Sequence, residues 1–324
     1  MIVYIVKRAL MAFVVVVLLM VFLGVLVHLI PGDPVKIILG QQASPALSEQ
    51  VRVQMGLDKP VATQVWLFVW HALRGDLGTD FITHVPVLTL IADALPHTVV
   101  LAIAGLGLAV VLGVPLGVYA ASHANSLGDR VTALLSVSLI TMPAYIAGLL
   151  LLLAFTVELP LVPSIGTGSF EHPLDYLRHL LLPAVALGST WIGYIARMVR
   201  TSMIEVLNSN YIRTARAYGL KQRTILYKHA LKNALIPTVA VLGVGLGHLM
   251  GGAVLIENIF SRSGLGQLIL GAIATRNYPV IRGGVLAIAV LFVVTNLIAD
   301  LSYRFLDPRI RVEIGGSGRQ GGPG

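Results

Sequence analysis

Long apolar runs separated by short polar breaks dominate the chain. Residues 9–30 form a run of 22 without a formal charge, which at about 1.5 Å per residue covers a hydrocarbon core of about 30 Å. Five more runs follow at 97–121, 131–157, 180–196, 235–256 and 283–299. Glu158 and Arg197 bound two of these, and Arg282 and Asp300 bound the last. The fourth and sixth are short and extend through snorkelling ends. The pattern predicts an all-α polytopic membrane protein with six transmembrane helices. The first run is too long for the core of a cleaved signal, and no small-x-small site precedes Pro31, so it reads as a retained anchor.

The same punctuation predicts the organisation. Residues 1–30 are an N-terminal helix and 31–95 an extracytoplasmic segment. Residues 96–304 form a five-helix body that carries a cytoplasmic loop at 198–236, and 305–324 form a tail with a glycine-rich end expected to be disordered. In the outer segment Pro31-Gly-Asp-Pro34 is a turn cluster. Residues 44–55 have helical composition with Ser48 as a candidate cap. Residues 65–73, with Trp66, Phe68 and Trp70, are expected against the membrane interface or the bundle's outer face, as an amphipathic packing helix rather than a ligand-stacking one. Lys7, Arg8, Arg130, the 197–232 group, Arg304, Arg309 and Arg311 outweigh Arg178, Arg262, Arg276 and Arg282, which orients both termini toward the cytoplasm.

Composition narrows the function classes. The chain is 56% hydrophobic and 12% charged, with mean hydropathy +0.85, against about a quarter charged in soluble domains. Lipid is therefore the expected solvent and a constant partner. The net charge of +8 belongs to basic cytoplasmic loops, so no nucleic acid partner is expected. Cysteine is absent, which excludes disulfides and thiolate chemistry. No His-Glu-x-x-His, serine-nucleophile motif or pair of aspartates at membrane depth is present, so neither a catalytic nor a metal site is expected. Gly243-Val-Gly-Leu-Gly247 lies inside an apolar run with no preceding strand and no lysine, so the chain binds no nucleotide there. Gly113-x-x-x-Gly117 and Gly247-x-x-x-Gly251 instead let helix backbones approach.

Against this background one charged island stands out, Tyr211-Ile-Arg-Thr-Ala-Arg-Ala-Tyr-Gly-Leu220, running on to Ile236-Pro237. Ile212, Ala215 and Gly219 recur at helical spacing among Arg213, Arg216, Lys221, Arg223, Lys228 and Lys232. Helix, glycine turn, second helix over 220–233 and proline restart make a docking element for a soluble partner. The alternative is a basic helix resting on anionic lipid. Within the spans, His248 lies near the middle of the fifth, where an ionisable group either lines a cavity or packs through a hydrogen bond. Glu257 and Asn258, near the outer end of that helix, are a candidate gate. The alternative for Glu257 is a helix-end acid that meets Arg262 or water.

The island resembles the cytoplasmic loop of ABC-importer permeases, whose pattern is Glu-Ala-Ala-x-x-x-Gly followed by Ile-x-Leu-Pro. Aligned on Gly219, this chain has Arg213-Thr214-Ala215 and closes with Ala234-Leu235-Ile236-Pro237. Arg-Thr-Ala-Arg-Ala before the glycine is the form of the dipeptide/oligopeptide/nickel branch, with Tyr218 in place of a common lysine. Pro31-Gly-Asp-Pro34, Gly56-Leu-Asp-Lys-Pro60, Gly75-Asp-Leu-Gly78, Glu257-x-x-Phe260-x-x-x-Gly264-Leu-Gly266, Tyr278-Pro279 and Asp307-Pro-Arg309 are similar to its B-type subunit. The branch often has Asp where this chain has Asn277.

The resemblance implies the type I ABC importer permease fold in a bacterial inner membrane. It implies a second homologous permease in a heterodimer, two ABC subunits that bind ATP and Mg, and an extracytoplasmic binding protein. Ile212, Arg213, Thr214, Ala215, Arg216, Ala217, Gly219 and Leu220 would dock the ATPase, the apolar members filling its groove. The implied cargo is a dipeptide, oligopeptide or related small solute moved by alternating access. An ATPase-independent carrier or channel is the competing class, and it requires more buried acids than this sequence holds.

Overall fold

The structure is a computed structural model that describes residues 2–29, 44–46, 49, 52, 58–162, 165–169 and 171–306. The Pro31–Pro34 cluster, the Ser48 cap, Gly56-Leu57, Asp307-Pro-Arg309 and the glycine-rich tail lie outside the described residues. The chain runs through α1 (Ile2–Leu29), α2 (Val61–Leu73), α3 (Val87–Ser122), α4 (Leu127–Thr141), α5 (Ala144–Leu152) and α6 (Pro173–Leu207). It continues through α7 (Asn210–Ala217), α8 (Gln222–Thr224), α9 (Leu231–Ala234), α10 (Ile236–Ile259), α11 (Leu265–Ala274) and α12 (Tyr278–Leu306). A π-helical turn, Leu153–Glu158, ends α5, and another, Ile225–Ala230, joins α8 to α9.

Among the described residues, α1, α3, α6, α10 and α12 are each long and apolar enough to cross a membrane. The predicted run at 131–157 is not one helix. It breaks after α4 and bends by 104° into α5 and its π-helical turn, so the count is five spans, or six if the bent pair is one span. The cause is local. Pro143 has no amide hydrogen for the α4 ladder, and it drives Met142 into an extended conformation at φ −78°, ψ 120°.

Two helices outrun the membrane. The 36 residues of α3 and the 35 of α6 extend about 50 Å each at 1.5 Å per residue. The surplus of α3 lies at its N-terminal end, where Val87 and Ile91 pack with Leu265 and Val280. The surplus of α6 lies at the other end, where Val199, Met203 and Leu207 pack with Ile212, Ile225 and Ala230. Between these clusters, Leu101, Leu187, Met250 and Ile256 fill the middle. A fourth cluster fastens α1 and α2 to α12 through Leu23, Val69 and Leu286. Arg8 and Asp300 close that contact with an ion pair at 2.9 Å.

Small residues bring α3 and α6 together. A Cβ on Gly117 would come 2.6 Å from the Ala196 carbonyl oxygen, and one on Gly113 would come 2.9 Å from that of Ile192. The first small-residue pair is therefore an interface, as its spacing predicts. The second is only half used, since Gly247 faces Phe292 and nothing lies within 4 Å of a Cβ on Gly251. Toward the C-terminal end of α6, Arg200 grips Asp129 with two hydrogen bonds of 2.5 and 2.7 Å. Bidentate geometry of this kind adds direction as well as strength, so α4 and the end of α6 are fastened together.

On α2, Trp66 and Trp70 stack at 6.3 Å, and Trp66 is 65% exposed. Val69 faces inward, which agrees with an amphipathic helix lying along the bundle.

Candidate functional site

The charged island folds into short helices at the end of α6. Its first arm, α7, is eight residues long, too short to persist alone in water. Ile212 therefore anchors it, fully buried among Met203, Leu207, Ile225 and Ala230. Ala215 packs on the same cluster. This corrects the expectation that Ile212 fills a partner's groove: a short helix keeps its shape only by burying its apolar side in its own protein. Arg213, Thr214, Arg216, Ala217, Gly219 and Leu220 remain exposed, together with Tyr218 at 83% exposure. The Tyr211 hydroxyl accepts a 2.8 Å hydrogen bond from the Asn233 side chain, which ties α7 to α9.

Gly219 ends the arm. Its φ is +73°, and no atom lies within 4 Å of a Cβ placed there, so the turn requires glycine for its backbone alone. The Gly219 N–H donates to the Arg216 carbonyl at 2.9 Å, and the Leu220 N–H donates to that of Ala215 at 3.3 Å. These two bonds are the Schellman pattern, with Gly219 one residue past the cap.

At the opposite end of the molecule, the motif Glu257-x-x-Phe260-x-x-x-Gly264-Leu-Gly266 has a geometric reading. Glu257 is fully buried, and its Oε2 accepts the Gly266 N–H at 2.6 Å. It thus caps α11 from the end of α10. Thr98 Oγ1 accepts the neighbouring Leu265 N–H at 2.9 Å. A Cβ on Gly264 would come 2.2 Å from the Glu257 carboxyl, and one on Gly266 would come 2.3 Å from Val254 Cα. Both glycines are there for closeness. The candidate gate at Glu257 is therefore an enclosed cap, while Asn258 next to it is exposed.

The Arg262 N–H donates to the Glu257 carbonyl at 2.8 Å, while its side chain reaches α6. It is fully buried, donates at 3.1 Å to the Tyr176 hydroxyl and at 3.3 Å to the His179 carbonyl, and fastens the corner to α6. His248 is exposed on α10, edge-on to Phe292 with ring centroids 6.3 Å apart.

One anchor was not visible in the sequence. Asp80 in the loop before α3 accepts from Ile82 N–H at 2.8 Å and from the Thr83 hydroxyl at 2.7 Å. It also accepts from the buried side-chain amide of Asn277, just ahead of α12. Burial works to raise the Asp80 carboxyl, and the hydrogen bonds from Ile82, Thr83 and Asn277 outweigh it, so the group is held below the usual carboxylate range. Gly75 and Gly78, at φ +83° and +85°, shape the approach to this loop. Only side-chain contact across the fold reveals the pair, because 197 residues separate its members.

An Asn277→Asp protein should melt several degrees below wild type at pH 7, since a second carboxylate would replace a donor. The sign follows from the depressed Asp80 value: wild type keeps this stabilisation above the unfolded carboxylate range and loses it as the pH falls through the folded value. In the variant, acidification lets one proton be shared, so its deficit should shrink toward pH 4.5. Melting curves at both pH values test this, and a constant deficit would refute the pairing.

Comparison with known proteins places these elements in a family. Residues 113–312 match the binding-protein-dependent transport system inner membrane component family. Residues 1–102 match the N-terminal region of such membrane components. The glutathione transport system permease protein GsiC of Pectobacterium atrosepticum is 37% identical over 308 residues, covering 95% of this chain and 98% of that protein. The dipeptide transport system permease protein DppB of Alkalihalophilus pseudofirmus is 39% identical over 307 residues, covering 88% and 92%. An inward-facing structure of the MetNI methionine ABC transporter shares the fold, with a TM-score of 0.56 at 20% identity over 68% of this chain and 97% of that one. With both parts of its length matched and the type I importer fold shared, the chain belongs to the binding-protein-dependent inner membrane components: it is an ABC importer permease, a multi-pass transport subunit of the inner membrane rather than an enzyme.

Proposed function

We propose that this permease forms half of the membrane pathway of a peptide importer, with small peptides of two or three residues as its cargo. The relatives' names support the class, one being a dipeptide permease and the other a glutathione permease. A second homologous permease would complete the pathway, and a binding protein would deliver cargo at the outer face. Two ATPase subunits would hold the ATP and Mg and drive alternating access. Both termini would be cytoplasmic, with the 198–236 loop beside them and residues 31–95 outside.

One observation carries the coupling role. The exposed face of α7, with Arg213 and Arg216 one turn apart, is presented on a helix anchored through Ile212 to the end of α6. A push on that face reaches α6, and through the Arg200–Asp129 grip it reaches α4. Guanidinium groups suit partner carboxylates. The test is co-purification of the tagged chain from native membranes in mild detergent. Wild type should bring down a second permease and ATPase subunits. Arg216→Glu should lose the ATPase at least tenfold while keeping the permease. Recovery of the chain alone, or full ATPase retention by Arg216→Glu, would refute the docking assignment.

A further inference from the structure

Between the broken span and α10 lies a cavity of about 520 Å³. Ile140 and Ala144 line it from either side of the break, Thr190, Trp191 and Tyr194 from α6, and His248 from α10. No Asp, Glu, Lys or Arg is among the lining residues. Two independent features point to a polar occupant. First, the break interrupts an apolar run long enough to be a span, and non-helical backbone within a span is tolerated only inside protein or against a water-filled cavity. Pro143 has no N–H to offer the Leu139 carbonyl, so the end of α4 needs partners from elsewhere. Second, the imidazole of His248, the hydroxyls of Thr190 and Tyr194 and the indole N–H of Trp191 make no hydrogen bond to any described residue. His248 and Tyr194 are exposed on the cavity wall, so their polar atoms are open to a polar occupant.

We propose that this cavity is the mid-membrane transit site for the peptide. His248, Tyr194 and Thr190 exchange water for the peptide's amide and terminal groups, and Trp191 sets the length of cargo that passes. The inference rests on the peptide-import reading above. A neutral imidazole and two hydroxyls each donate and accept, which matches a backbone that presents both N–H and C=O. The lack of a fixed charge prevents the peptide termini from being held tightly, as a transit site requires. The volume falls in the range of about 300–1,000 Å³ that encloses a drug-sized molecule, which suits two or three residues. Trp191 has a defined seat. A Cβ on Gly245 would come 2.8 Å from the indole, so the glycine is what lets the ring lie against α10, edge-on to Tyr194 at 5.5 Å.

The test uses the assembled importer with its binding protein in proteoliposomes, and the probes are radiolabelled alanine peptides of two, three and five residues. His248→Leu should cut uptake of the two shorter peptides at least about tenfold, the factor that ~1.4 kcal/mol represents. His248→Gln, which keeps a donor and an acceptor, should recover most of it. Trp191→Phe should raise uptake of the five-residue peptide relative to the dipeptide. Gly245→Ala, which pushes the indole into the cavity, should lower the tripeptide relative to the dipeptide. A purely structural role would move all lengths together. Wild-type rates and unchanged length ratios in assembled His248→Leu and Trp191→Phe complexes would overturn the site and leave peptide import standing. If the wild-type importer takes up none of the three peptides, the peptide reading itself falls, and this inference with it.

Discussion

Gly219→Val is expected to lower transport per ATP hydrolysed by about tenfold while the variant still co-purifies with its partners. The position is left-handed at φ +73° with open space around it, so the effect comes from the backbone and not from a clash. A β-branched residue there is a conformational outlier, and the left-handed region costs roughly 1–2 kcal/mol for an L-residue. The strain is relieved by releasing the Leu220–Ala215 and Gly219–Arg216 bonds, which loosens the end of α7. Ile212 stays buried, so α7 remains attached and assembly survives. A lever with a slack end turns less of the ATPase motion into movement of α6. Asn tolerates this region better than other non-glycine residues, so Gly219→Asn should retain most of the coupling. Paired uptake and hydrolysis assays on one reconstituted preparation decide the matter. A wild-type ratio in the valine variant removes the hinge role.

Glu257→Ala should lower the melting temperature in detergent more than any other single truncation of a polar side chain at that end of the bundle. The carboxyl group accepts the Gly266 N–H at 2.6 Å in a fully buried setting, and leaving such a buried donor unsatisfied costs about 1–3 kcal/mol. Truncation leaves the Gly266 N–H unpaired and opens a void where Gly264 and Gly266 close in. Glu257→Gln keeps an acceptor oxygen and should recover about half of the loss. The opposite result, an alanine variant as stable as wild type yet defective in transport, would return Glu257 to the gate that its position in the sequence first implied.

Both cases show what kind of information local pattern carries. The amphipathic spacing of Ile212 and Ala215 identified α7, but not which side of it faces a partner. Helical period locates an apolar stripe, and only the position of Ile225, Ala230 and Met203 shows that the protein itself covers it. Gly219 was legible as a turn because glycine followed by a new polar-apolar rhythm has few other uses. Glu257 was misread because an acid at the end of a membrane helix looks accessible until α11 is folded back over it. Asn277 stood out only as a departure from the branch's Asp, and nothing in the sequence marked Asp80 as its partner, the two being polar residues in separate loops.

The sequence by itself determined the solvent, the number and rough limits of the apolar runs, and the family. These follow from properties that add along the chain: hydropathy summed over about 20 residues, charge asymmetry between loops, and short motifs. Tertiary structure alone decided that the third run breaks at Met142–Pro143 and bends by 104°. A proline inside an apolar run either kinks or breaks a helix, and the surrounding packing selects between the two. It also decided that α3 and α6 meet through Gly113 and Gly117, that Arg200 holds Asp129, and that His248, Trp191 and Tyr194 face one cavity. Each of these depends on which surfaces remain when helices distant in sequence have been brought together, and no local property of the chain encodes that.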